Sequence, residues 1–255
     1  MKIVVISRKN ALRLLLVLAG GLVLLFLLGF RVREAVSAAS TPRKIPIYCV
    51  DTNEKKIAIS FDAAWGNEDT QQLIDVLQKY NVKTTFFVVG QWVDKYPESV
   101  KALADAGHEI MNHSNTHPHM TQLTADGIRK EVNACNDKIA AITGTRPTLL
   151  RPPYGDYNNT LVSTLKEMGM YCIQWDVDSL DWKDLSAQQI CERVVKGVKN
   201  GSIVLFHNAA KHTPEALPLI LEELIGKQGY TIVPVSQLIH PGVYEGDHAG
   251  TQHAG

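Results

Sequence analysis

Between residues 55 and 239, short apolar runs alternate with amphipathic segments, seven times over. The runs are Lys56–Phe61, Thr84–Val89, Glu109–Asn112, Thr148–Leu150, Met170–Val177, Ser202–Phe206 and Tyr230–Val233. The stretches between them carry helical spacing. Leu73, Ile74, Leu77 and Tyr80 share one face, as do Ile128, Val132, Cys135, Ile139 and Ile142. Ile190, Val194 and Val198 form a third face behind a Ser186–Gln189 capping box, and Leu217, Ile220, Leu221 and Leu224 a fourth, opened near Pro214. Gly107, Gly169 and Gly229 stand where a helix should stop before the next strand. Alternating strands and helices pair in parallel, with the helices outside the sheet. The pattern predicts an α/β fold, a distorted (β/α) barrel of about seven parallel strands. An open doubly wound sheet is the alternative. No glycine-rich phosphate loop follows any run, which argues against a nucleotide cofactor.

The 255 residues contain 26 Lys and Arg against 26 Asp and Glu. A chain with no net charge lacks the basic face that nucleic-acid binding needs. The charge is unevenly spread: residues 1–44 hold eight basic residues and one acid, leaving the rest with 18 basic and 25 acidic residues. Inside that basic leader, every residue from Leu14 to Phe30 is apolar or glycine. With Ala11 and Leu12 the run is about 20 residues, long enough to span a bilayer as a helix. It predicts a transmembrane helix over 11–30 behind a basic segment 1–10, with the body outside the cytoplasm. A cleaved signal is the alternative, with Val36–Ser40 as the cleavage site and secretion as the result. Residues 31–54 read as a tether, because they are small, polar and contain proline. Residues 240–255 carry almost nothing to bury and read as a disordered tail. Cys49, Cys135, Cys172 and Cys191 fit no zinc spacing, and buried thiols are expected rather than disulfides.

The chemistry-bearing residues follow the strands. Asp62 follows the first run, His113 and His117 the third, and Arg151 with Pro152, Pro153 and Tyr154 the fourth. Asp178, Asp181 and Trp182 follow the fifth, and His207 the sixth. In a parallel barrel the carboxyl ends of the strands share one face, where active sites are built. Taken singly each residue has a plainer role: Asp62 as a turn cap, Arg151 as a loop pin, Asp181 as a solvated acid, His207 as a core histidine. Two histidines four apart on one helical turn suit a single borderline metal ion, or are unrelated.

The ordered set Ser60-Phe61-Asp62, His113-Ser114-x-x-His117, Arg151-Pro152-Pro153-Tyr154-Gly155, Asp178-Ser179-Leu180-Asp181-Trp182 and Ile203-Val204-Leu205-x-His207 resembles carbohydrate esterase family 4. These are polysaccharide deacetylases with the NodB homology domain, and the resemblance covers about residues 55–238. The leader, the overall size and Asp62-Ala63-Ala64-Trp65-Gly66 are similar to PdaB-like sporulation deacetylases. The resemblance implies removal of N-acetyl groups from peptidoglycan or a chitin-like glycan, with a divalent metal, zinc or cobalt. It implies Asp62 as general base, Arg151 as its partner, and His113 and His117 as metal ligands. It also implies His207 as general acid tuned by Asp181, a Tyr154 N–H holding the oxyanion, and Trp182 lining the acetyl pocket.

One position departs from the family. The acid that normally follows the base and completes the metal triad is Ala63 here, followed by Ala64. An alanine ligates nothing, so a weakened metal site is expected. The alternative function is a weakly active or inactive glycan-binding homologue. A phosphatase on the same barrel is less favoured, because no basic phosphate clamps accompany the motifs.

Overall fold

The computed structural model describes residues 8–9, 19–26, 42–243 and 245–254. It divides into two compact units, residues 1–43 and 44–255. In the first, residues 19–26 are helical and exposed. Most of the expected membrane segment lies outside the described residues, and among those described no helix is long and apolar enough to cross a membrane.

The second unit holds β1 (Cys49–Val50), β2 (Lys56–Ala63), α1 (Thr70–Lys79), β3 (Thr85–Val88), α2 (Gly90–Lys95), α3 (Pro97–Asp105), β4 (Glu109–Asn112), α4 (Ala125–Thr143) and β5 (Leu149–Leu150). It continues with α5 (Asn159–Glu167), β6 (Tyr171–Cys172), β7 (Val177–Asp178), α6 (Ala187–Gly197), β8 (Ile203–His207), α7 (Thr213–Leu221), β9 (Thr231–Ile232), α8 (Val235–Leu238) and β10 (Thr251–Gln252). Seven strands run in the order β6-β5-β4-β3-β2-β8-β7, and β9 pairs with the start of β2. All of these pairings are parallel, so the expected α/β fold of about seven parallel strands is present, curled into a half-barrel.

The run Met170–Val177, read as one strand, is two. β6 and β7 lie at opposite edges of the sheet, and Ile173–Asp176 cross between them. Along this crossing the Ile173 N–H donates to Leu150 O, that of Gln174 to Ile47 O and that of Asp176 to Ile203 O. The five peptide steps from Cys172 to Val177 span at most about 18 Å, so the sheet curls until its edges approach one another.

The parity of β2 sorts the core. Ile57, Ile59, Phe61 and Ala63 face the helices, where Phe61 stacks between Phe86 and Phe206 at centroid distances of 4.8 and 5.5 Å. Ala58 faces inward and packs with Ile47, Phe87, Met111 and Ile203. Successive strand residues point to opposite faces, so Ser60 and Asp62 also face inward. The expected capping box of α6 is present, with Ser186 and Gln189 reciprocally bonded. The cysteines are free and buried, and burial pushes the Cys135 thiol up to about 12.

Two boundaries differ from the sequence reading. The tether does not extend to residue 54: Ile45 and Ile47 are buried, and β1 belongs to the body. The two-residue alternation Ile45, Ile47, Cys49 is a strand signal overshadowed by its proline neighbours. The tail is not disordered over its described length either. β10 pairs in parallel with β1, and Gln252 is fully buried. Its Oε1 accepts from the His240 N–H, and its Nε2 donates to the His240 and Val243 carbonyls. A glutamine that satisfies backbone groups anchors a segment with little apolar surface.

Candidate active site

Five strand ends meet at one cavity of about 550 Å³, whose lining includes Asp62, His113, His117, Tyr154, Trp182 and His207. Arg151 and Asp181 stand immediately behind it, each bonded to a lining residue. All eight residues expected from the sequence are therefore brought together.

Asp62 and His207 are register partners on adjacent strands β2 and β8. Asp62 Oδ1 accepts from Arg151 Nη1 at 2.9 Å. The other Arg151 nitrogen, Nη2, donates to Ser60 Oγ at 2.8 Å and to the Gln174 carbonyl at 3.1 Å. The guanidinium is fully buried and lies 4.3 Å from the Phe87 ring centroid. Burial alone would push the Asp62 carboxyl up; the His113 ring, the Arg151 guanidinium and the His207 ring override it and hold it below the ordinary carboxylate range. Burial disfavours the charged form of His113, so the Arg151 guanidinium and its hydrogen bond, with the His207 ring, sustain an ionised Asp62.

His207 has the opposite setting. Burial disfavours its charged form, but the hydrogen bond from Nδ1 to Asp181 Oδ1 at 2.8 Å and the Asp181 charge raise its pKa above the ordinary value. Asp181 is held in turn by the His207 backbone N–H at 2.8 Å and by Thr213 Oγ1 at 2.7 Å, both on Oδ2. One edge of the cavity thus favours a carboxylate and the other an imidazolium, which suits a base and an acid working together.

The two histidines are not on a helical turn. Residues 113–117 form a loop, with Ser114 and His117 both in the left-handed region at φ 66° and 58°. The His117 N–H donates to Ser114 Oγ at 3.0 Å, and the loop brings the rings within 5.0 Å. His113 Nδ1 donates to the Arg151 carbonyl at 2.7 Å, which fixes the tautomer and turns the Nε2 lone pair toward Asp62 Oδ2, 3.6 Å away. Burial and the neighbouring His113 lower His117 to about 4, so it too is neutral at pH 7. Two neutral imidazoles with free lone pairs suit a borderline divalent cation, but among the described residues no group of three or more His, Cys, Asp or Glu could hold one. Ala63 is buried in the layer under the helices, and Ala64 lines the cavity. The donor set fits a two-imidazole site of low affinity.

Several neighbours were missed by the sequence reading. Gln174 and Trp175 come from the crossing segment, which was read as strand interior. Asn208 directly follows His207, and its side chain donates to the Trp65 and Gly66 carbonyls. The inward parity of Ser60 was the one available signal for its contact with Arg151.

Comparison with known proteins agrees with this geometry. The family model for polysaccharide deacetylase matches residues 50–173. The peptidoglycan-N-acetylmuramic acid deacetylase PdaC of Bacillus subtilis is 41% identical over 189 residues, covering 74% of this chain and 40% of that protein. The match therefore spans well under half the length of PdaC. PdaA of the same organism, with the same activity in its name, is 35% identical over 196 residues, covering 75% of this chain and 74% of PdaA. Among solved structures, BA3943 of Bacillus anthracis, described as a carbohydrate esterase family 4 pseudoenzyme, superposes with TM-score 0.74 at 32% identity, covering 83% and 74% of the two chains. A BA3943 mutant described as having restored enzymatic activity superposes with TM-score 0.73 at 35% identity, covering 76% and 71%. With fold, site and relatives in accord, the chain belongs to the polysaccharide deacetylase family.

Proposed function

We propose that the protein is an N-deacetylase acting on an N-acetylated cell-envelope polysaccharide, either peptidoglycan or a chitin-like glycan. The observation that carries this reading is the opposed pair of settings at one cavity: Arg151 bonds Asp62 and holds its carboxyl below the ordinary range, and Asp181 bonds His207 and raises its pKa above the ordinary value. In the proposed reaction Asp62 takes a proton from water as its oxygen attacks the acetamide carbon. The Tyr154 N–H faces the developing oxyanion. His207 then gives its proton to the leaving nitrogen, the C–N bond breaks, and acetate and a free amine result. A divalent cation held by His113 and His117 would polarise the carbonyl and acidify the attacking water.

The apolar run Leu14–Phe30 and its basic flanks support a membrane-anchored body outside the cytoplasm, where the polymer is. The leader, the size and the Asp62–Gly66 sequence support a sporulation role of the PdaB kind.

The deciding experiment incubates the full chain with N-acetylglucosamine oligomers or peptidoglycan, with and without Zn²⁺ or Co²⁺, and measures acetate. Release that Asp62→Asn abolishes establishes the reaction. A second reading, glycan binding without turnover, is favoured by Ala63 and the incomplete ligand set. Binding with no acetate under any metal condition would establish that reading instead.

A further inference from the structure

The chain has four tryptophans. Trp92 is 2% exposed and Trp175 is half-buried, whereas Trp65 and Trp182 are 52% and 55% exposed. Indoles left open beside a cavity mark a surface that something apolar covers. Both open tryptophans flank His207. Both line the cavity at the strand ends, and with His207 they also line an adjoining one of about 180 Å³ that reaches Asp184 and Lys211.

Trp65 is held in place from several directions. Asn208, itself buried, donates from Nδ2 to the Trp65 carbonyl at 2.6 Å and to the Gly66 carbonyl at 2.7 Å, and its Oδ1 accepts from the Ala64 N–H at 3.2 Å. Trp92 Nε1 adds a bond to the Gly66 carbonyl at 2.6 Å. Gly66 has φ 59°, and a Cβ there would come within 2.6 Å of the Ala209 Cβ, so the turn is packed against the loop after His207. The Trp65 ring lies 14° from parallel with that of His207, at a centroid distance of 6.2 Å. A tryptophan serving the core would be covered; this one is fixed by its backbone and leaves its ring in water.

We propose that Trp65 is a substrate-contacting residue whose exposed ring seats the C–H face of a pyranose ring in the cavities it shares with Trp182, and that Asn208 is its positioning residue. The proposal rests on the reading of the protein as a glycan deacetylase. Two exposed indoles lining two adjoining cavities together with His207 fit the interior of a polymer better than a single sugar.

The test is calorimetric titration of the full chain with chitopentaose and with monomeric N-acetylglucosamine, alongside KM and kcat for acetate release. Trp65→Ala should weaken chitopentaose binding about tenfold, the loss expected for one aromatic contact, with the deficit appearing in KM. Trp65→Phe should recover most of it. Asn208→Ala should shift KM in the same direction, while its circular dichroism matches the parent. Equal affinity of Trp65→Ala and the native chain overturns this inference alone, since acetate release would persist. Native protein that neither binds nor deacetylates any glycan overturns the deacetylase reading and this inference with it.

Discussion

Arg151, itself fully buried, places Nη1 2.9 Å from the carboxylate of Asp62, which lines the cavity and is 6% exposed. A charge buried in this way costs several kcal/mol unless a partner and further hydrogen bonds compensate. Ser60 and the Gln174 carbonyl accept from Nη2 and the Phe87 ring packs against the guanidinium, while the buried Nε finds no hydrogen-bond partner among the described residues. The arrangement commits the interior of the half-barrel to a carboxylate at its mouth.

Removing the guanidinium should therefore strand Asp62. Arg151→Met is expected to lower stability by about 3–5 kcal/mol, read by urea unfolding at pH 7. Arg151→Lys keeps the charge but loses the planar fork, so it should fold better than Arg151→Met and still deacetylate poorly. A loss below about 1 kcal/mol for the methionine variant would contradict the account.

The pH profile follows from His207. Its pKa is raised above the ordinary 6.5, so the proton it donates is retained to higher pH than on an ordinary histidine and lost as pH rises through the folded value. Stability follows the same sign: the contribution is complete below 6.5 and disappears through that higher value. Asp181, Asp62 and Asp178 are the acids that face it. Asp181→Asn should move the alkaline limb of kcat/KM to lower pH, measured across pH 5–10 with a fixed oligosaccharide. An unmoved limb would mean that another group sets it.

Cation binding should depend on both imidazoles and be weak. Titration of Zn²⁺ into the full chain at pH 7 should give one site, lost in His113→Ala and in His117→Ala. Lowering the pH toward 4 should weaken binding, because His117 takes up a proton near there. Chelator treatment should reduce acetate release, and added Zn²⁺ should restore it. Tight binding that survives either substitution would place the ion elsewhere.

The C-terminal strand should stabilise the body. Gln252→Ala leaves the His240 and Val243 backbone groups without their partner, at a cost of about 1–3 kcal/mol. Thermal unfolding of this variant and of a chain ending at Ala249 should show lower midpoints than the parent. Unchanged midpoints would show the β1–β10 pairing to be dispensable.

The fold and the set of candidate residues were legible because both depend on period. Strand and helix spacing gave the parallel half-barrel, and the residues following each run gave the cavity. The unread parts depend on contacts that spacing does not encode. The crossing at Ile173–Asp176 looks like continuous strand, since its apolar residues serve two edges and the seam between them. The His113–His117 loop depends on two left-handed residues that are not glycine, so no composition signal marks it. The tail was misread because one buried amide, rather than an apolar stripe, fastens it.

β2 works as a two-sided ruler. Its odd positions fill the space under the helices and its even positions run from Ala58 through Ser60 to Asp62. Adding or deleting one residue between Lys56 and Asp62 would swap the two sets, driving the carboxylate into oil and Phe61 into the solvent-filled mouth. The count of residues along this strand is therefore fixed by its two faces at once.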